Sequence, residues 1–188
     1  RNDIDGQADL VEEIIRVAGY DKLPMVPLPQ LTVVAQPAYS PEQLRPIHLR
    51  RMLVTAGLNE AVTFSFMAQS DAALFDGGHN ALTLVNPISS ELDCMRPSIL
   101  PNLLNALSRN MNRGIKNVRL IEIGPVFHGT DEASQKLSCA GVLSGDYRIG
   151  DWQDKARSID IFDAKKILEK ICETLSVSSQ SVQLNTLG

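Results

Sequence analysis

An α+β fold is predicted, a mainly antiparallel sheet flanked by helices, with the helices on one face. Strands outnumber long helices along the chain. The connection at Gly124-Pro125 is far too short for a parallel crossover, which takes about a dozen residues or more. At 188 residues, with 44% hydrophobic and 21% charged content, the chain has the size and composition of one water-exposed globular domain with an added piece. Its net charge of −4 opposes nucleic-acid binding by the chain as a whole. No apolar run approaches the roughly 20 residues of a membrane helix.

The first element is a helix over residues 1–20, RNDIDGQADLVEEIIRVAGY. Leu10, Ile14, Val17 and Ala18 form one stripe, with Gly19 at the C-cap. Asp9, Glu12, Glu13 and Arg16 share the other face. Two readings of these acids stay open. In the structural one, Asp9 and Glu12 form a capping box and Glu12 pairs with Arg16. In the other, Asp9 and Glu13 repel at i,i+4, and with Asp3 and Glu12 they converge on a hard cation such as Mg²⁺, which takes oxygen ligands.

Residues 21–40 hold Pro24, Pro27, Pro29 and Pro37, and Pro41 follows. Prolines at this density favour extended chain, and the segment reads as a connector, with Leu31–Val34 lying against a surface. Ser40-Pro41-Glu42-Gln43 then starts a helix: N-cap serine, proline at the first position, glutamine three residues after the cap. Leu49, Met52, Leu53 and Ala56 give its apolar face, and Pro46 is expected to kink or break it. His48, Arg50 and Arg51 read as a solvated face. A strand over Leu58–Phe66 follows, with Val62, Phe64 and Phe66 on one side.

Next come a short helix over Asp71–Asp76, a turn at Asp76–Asn80 and a strand at Ala81–Val85 ended by Asn86-Pro87. Pro101 opens a helix whose apolar face is Leu103, Leu104, Leu107 and Met111, with Gly114 as its left-handed end. Val118–Ile123 is a strand covered on both faces, Gly124-Pro125 a tight turn, and Val126-Phe127 the start of the next strand. A polar turn at Asp131–Gln135, a strand at Leu137–Ser144, an amphipathic helix from about Asp160 (Phe162, Ile167, Leu168, Ile171, Leu175) and a strand near Val182–Leu184 complete the order. Cys94, Cys139 and Cys172 have no metal-like spacing and read as reduced, buried thiols.

The segment Met95–Gly129, MRPSILPNLLNALSRNMNRGIKNVRLIEIGPVFHG, resembles motif 2 of class II aminoacyl-tRNA synthetases, where an arginine-proline pair precedes a helix and a hairpin. It is most similar to the core domain of the bacterial-type phenylalanyl-tRNA synthetase beta subunit. Helix, glycine, strand over residues 41–66 resembles motif 1, the element of subunit association, without its closing proline. The pattern Arg1, Asp3, Ile4, Asp9, Leu10, Val11, Glu12, Glu13, Arg16, Gly19, Tyr20 resembles the end of that subunit's B5 domain.

These resemblances imply a B5 end at 1–22, a linker at 23–40 and a class II synthetase-like core at 41–188. Without the third motif that carries an ATP-binding arginine, that core is expected to be incomplete at its C-terminus. With no initiating methionine, the chain reads as an excised piece of something longer. The resemblance implies Mg²⁺ on Asp3, Asp9, Glu12 and Glu13, shared with an alpha subunit. It also implies an (alpha-beta)2 heterotetramer in the cytoplasm that charges tRNA(Phe) with phenylalanine, using ATP held elsewhere than on this chain.

One departure governs the functional expectation. Catalytic members continue Phe-Arg-x-Glu, and that arginine grips the ATP α-phosphate. Here Phe127 is followed by His128, Gly129 and Thr130. A planar, always-charged fork suits that task and a largely neutral imidazole does not. The frame of the motif is therefore expected without its chemistry. The alternatives are a free-standing domain that adenylates an amino acid, and a tRNA-binding module using a basic strip of Arg109, Arg113, Lys116 and Arg119.

Overall fold

The computed structural model describes residues 2–28, 37–75, 77 and 80–178. They fall into two compact units, Arg1–Ala38 and Tyr39–Gly188. The expected Leu31–Val34 and Val182–Leu184 segments, and most of the 76–80 turn, lie outside the described residues.

In the first unit, helix α1 spans Gln7–Ala18 and a single 3₁₀ turn spans Tyr20–Lys22. Gly19 ends α1 at a φ of 100° and donates to the Ile15 carbonyl at 2.8 Å. A side chain would resist that φ, so glycine is required there. Leu10, Val11, Ile14 and Val17 are all more than half exposed, leaving the apolar stripe of α1 open.

In the second unit, α2 spans Pro41–Thr55, α3 Gln69–Ala73, α4 Leu100–Asn112 and α5 Ile161–Thr174. The strands are β1 (Asn59–Glu60), β2 (Phe66–Met67), β3 (Cys94–Met95), β4 (Val118–Phe127), β5 (Gln135–Ser144), β6 (Asp146–Arg148) and β7 (Arg157–Ser158). The main sheet runs β1-β4-β5. β4 and β5 form a ten-pair antiparallel ladder from Val118↔Ser144 to Phe127↔Gln135, and β1 adds a short parallel edge. β2-β3 and β6-β7 are small antiparallel ladders. No described helix is long and apolar enough to cross a membrane.

Strand periodicity explains how the core divides. Side chains of successive strand residues point to opposite faces. The odd positions Ile121, Ile123, Cys139 and Leu143 meet Leu49 and Leu53 of α2 and Ile167 and Ile171 of α5. The even positions Leu120, Val126, Ala140 and Val142 meet Ile99, Leu103 and Leu107 at α4. Helices thus cover both faces of the sheet rather than the single face expected. A third cluster, Met67, Ala72, Leu82 and Cys94, packs under α3.

Several local expectations change. Gly124-Pro125 is no turn: β4 runs through it, and the hairpin closes at the 3₁₀ turn Glu132–Ser134. The Phe127 N–H points away from β5, toward the Arg96 carbonyl at 2.9 Å, and the nitrogen of Pro125 two residues earlier faces the same edge. The ladder to β5 therefore loses no bond at proline. The strand expected over Leu58–Phe66 shrinks to β1 and β2, because Thr63 and Phe64 leave the sheet to meet Arg96 and Asn102.

Residues Ala81–Val85 form part of a 3₁₀ turn and one bridge, Thr83↔Cys94, instead of a strand. α2 is unbroken through Pro46, whose missing N–H forfeits a bond only at the exposed Glu42. Arg50 pairs with Glu60 at 2.5 Å instead of standing free in solvent. In α4, Leu103 is fully buried while Leu104 and Met111 are exposed; in α5, Phe162 is exposed. No disulfide joins the three cysteines among the described residues, and Cys94 and Cys172 are buried. Burial also pushes the half-buried Cys139 thiol up.

Candidate functional site

The candidate site is the frame around Arg96 and the tip of the β4-β5 hairpin. Arg96 follows β3, and its backbone joins two elements: its N–H donates to Ser65 at 3.0 Å and its carbonyl accepts from Phe127. Its side chain, 1% exposed, reaches across β4. Nε donates to the Pro125 carbonyl at 2.8 Å, and an Nη donates to Glu122 at 2.7 Å and to the Thr63 hydroxyl at 3.0 Å. Thr63 in turn donates to the other Glu122 oxygen at 2.6 Å. Asn102, on the first turn of α4, donates to Thr63 at 3.1 Å and to the Phe64 carbonyl at 2.7 Å.

Glu122 occupies an even β4 position, between Leu120 and the Gly124 gap, and is 3% exposed. An unpaired charge there would be costly, and the surrounding donors compensate it. Gly124 is what lets the guanidinium lie flat on the strand. A Cβ at that position would stand 2.4 Å from an Arg96 nitrogen. Sequence reading missed this network. Its only local signals were a glutamate inside an apolar strand and a glycine two residues on.

The hairpin tip has the opposite character. His128 is exposed, and its backbone N–H donates to Ser134 at 3.1 Å. Thr130 is exposed as well. The Ser134 hydroxyl closes the turn on the Asp131 carboxylate, holding that group below the usual carboxylate range. Residues 128–134 carry Asp131 and Glu132 but no lysine or arginine. A loop with two carboxylates and no fixed cation is a poor cradle for a triphosphate.

Beside the Arg96 network lies a cleft of about 450 Å³, lined among others by Phe64, Asp71, Glu91, Asn102 and Arg109.

The four acids of the first unit stand as follows. Asp9 accepts from the backbone N–H groups of Asp5 (3.1 Å) and Gly6 (2.9 Å), as the acidic half of a cap. Glu13, not Glu12, pairs with Arg16 at 2.7 Å, which raises the Arg16 pKa. Glu12 and Asp3 are exposed. Four carboxylates are chemically apt donors for Mg²⁺. Among the described residues, however, no three His, Cys, Asp or Glu side chains gather into a set that could hold a metal ion.

Of the basic strip, Arg109, Arg113 and Lys116 are exposed, while Arg119 is committed elsewhere. It donates to the Asp146 and Tyr147 carbonyls and lies over the Tyr147 ring at 5.1 Å, with Arg157 also over that ring at 4.3 Å.

Comparison with known proteins places this geometry. A family model described as the phenylalanyl tRNA synthetase beta chain CLM domain matches residues 26–186. The chain is 44% identical over 184 residues to the phenylalanine–tRNA ligase beta subunit of Paramagnetospirillum magneticum, covering 98% of this chain and 23% of that protein. It is 46% identical over 168 residues to the beta subunit of Novosphingobium aromaticivorans, covering 88% and 21%. It thus spans about a quarter of the length of the curated relatives it matches. A solved pyrrolysyl tRNA synthetase of Desulfitobacterium hafniense shares the fold, with a TM-score of 0.50 at 17% identity over 73% of this chain and 48% of that one. The α+β fold is therefore class II synthetase-like, and the chain belongs to the phenylalanyl-tRNA synthetase beta chain family, with residues 26–186 matching its CLM domain.

Proposed function

We propose that this chain is a non-catalytic core of the beta subunit of phenylalanine–tRNA ligase, supporting assembly with the alpha subunit into an (alpha-beta)2 heterotetramer. That assembly, in the cytoplasm, charges tRNA(Phe) with phenylalanine at the expense of ATP. The observation that carries the reading is the hairpin tip. Where a catalytic class II member sets an arginine on ATP, this chain exposes His128 among carboxylates, and its buried arginine, Arg96, is spent on Glu122. The frame serves packing, and the ATP is bound by the alpha subunit.

Exposed apolar side chains support the assembly role. Val62 is 90% and Phe64 69% exposed on the segment that resembles motif 1. Large apolar groups left in water on one segment mark a surface that a partner covers. We further propose that Asp3, Asp9, Glu12 and Glu13 contribute to a Mg²⁺ site only when the alpha subunit supplies the remaining ligands.

The test is association. The complete beta chain, mixed with its alpha subunit, is expected to elute as one complex in size-exclusion chromatography, and only the complex is expected to aminoacylate tRNA. Failure of the complete beta chain to associate would sink the assembly role. Phenylalanine-dependent ATP–pyrophosphate exchange by this chain alone would sink its non-catalytic character.

A further inference from the structure

The cleft beside the Arg96 network has a lining that neither the fold nor the buried ion pair explains. Phe64 and Phe66 give it an aromatic wall, and Asp71 and Glu91 bring carboxylates from two different segments. Glu91 is exposed and has no ion-pair partner among the described residues. Asp71 accepts only a long 3.4 Å contact from the Asn105 amide there. Arg109 also lines the cleft, so two carboxylates face one guanidinium and the lining keeps a surplus negative charge.

Asn102 sharpens the point. It is 8% exposed and lines the cleft. Its Nδ2 is fixed by the Phe64 carbonyl and the Thr63 hydroxyl, so its amide orientation is set. Its Oδ1 then remains as an acceptor with no donor among the described residues. An amide acceptor open to the cleft, two carboxylates and an exposed aromatic face together match one kind of guest: a donor-rich cation on an aliphatic stem.

We propose that this cleft receives an arginine or lysine side chain presented by the alpha subunit. The guest's stem lies along Phe64, and its charged head is held by Asp71, Glu91 and the Asn102 carbonyl. Arg109, on the last turn of α4, keeps a second positive charge out of its end of the cleft. A single positive charge is what the surplus on the lining neutralises. The inference rests on the assembly reading above and names one point of contact within it.

Carboxyl footprinting tests it on the unmodified proteins. The complete beta chain, free and bound to the alpha subunit, is treated with a carbodiimide and glycine ethyl ester, and labelling is read by mass spectrometry. Asp71 and Glu91 are expected to label in the free chain and to label at least fivefold less in the complex. The same labelling in both samples, with association shown by chromatography, overturns the inference and leaves the assembly reading standing. No association at all overturns the assembly reading and this one with it. A second arm uses the D71N/E91Q double variant of the complete chain, checked for folding by near-UV circular dichroism. Its affinity for the alpha subunit is expected to fall about tenfold and to lose much of its salt dependence. A fall of less than threefold overturns the inference; threefold or more supports it.

Discussion

Arg96 and Glu122 form a buried pair whose side chains are 1% and 4% exposed, 2.7 Å apart. Removing one partner of such a pair leaves an uncompensated charge in the core, at a cost of about 3–5 kcal/mol. R96M or E122L is therefore expected to lower stability by about that amount in urea denaturation, and the R96M/E122L double variant by less than the sum of the single changes. Gly124 belongs to the same site. G124A pushes a methyl group against the Arg96 guanidinium and is expected to cost about 1–3 kcal/mol by overpacking. Measured in an R96A background, that cost should largely vanish. Here the sequence misleads for a physical reason. Gly124-Pro125 looks like a turn because glycine and proline are local punctuation. In the fold, the glycine serves a side chain 28 positions away, and the proline nitrogen faces the one edge where β5 asks nothing of it.

At the scale of elements, what is local in chemistry was legible. Ser40 accepts from the Gln43 N–H at 3.3 Å, and Gln43 returns a bond to the Ser40 N–H at 2.9 Å, as the four residues foretold. S40A is expected to lower stability by about 1 kcal/mol in thermal melts. At α5, Asp160 caps the Phe162 and Asp163 N–H groups, and Asp163 accepts from Arg157 at 2.7 Å. The Arg157 guanidinium holds the Asp163 carboxyl below its ordinary value. A depressed folded pKa gives stability that is present above the unfolded value, about 3.9, and is lost as pH falls through the folded one. D163N should therefore melt below wild type at pH 7, and the gap should narrow below about pH 4. What failed at this scale was strand length. Alternation over Leu58–Phe66 argued a continuous strand, but the demand of Arg96 and Asn102 for the Thr63 hydroxyl and the Phe64 carbonyl draws those residues out of the sheet.

For the whole molecule, the architecture follows from the apolar faces of β4 and β5, which hold α2 and α5 on one side and α4 on the other. The family was legible because its motifs are contiguous runs of residues. The cleft and the buried network were not, because they join residues from 63 to 125 that no single periodicity relates. If this frame is kept for packing and assembly while catalysis belongs to the partner, the hairpin tip is the place to see it, by tRNA charging measured on the assembled enzyme with the beta chain carrying H128A. The kcat/KM for phenylalanine and ATP is expected to stay within about twofold of wild type, since no transition-state contact is lost. A hundredfold loss in the intact complex, the order of magnitude for deleting a catalytic donor, would contradict it.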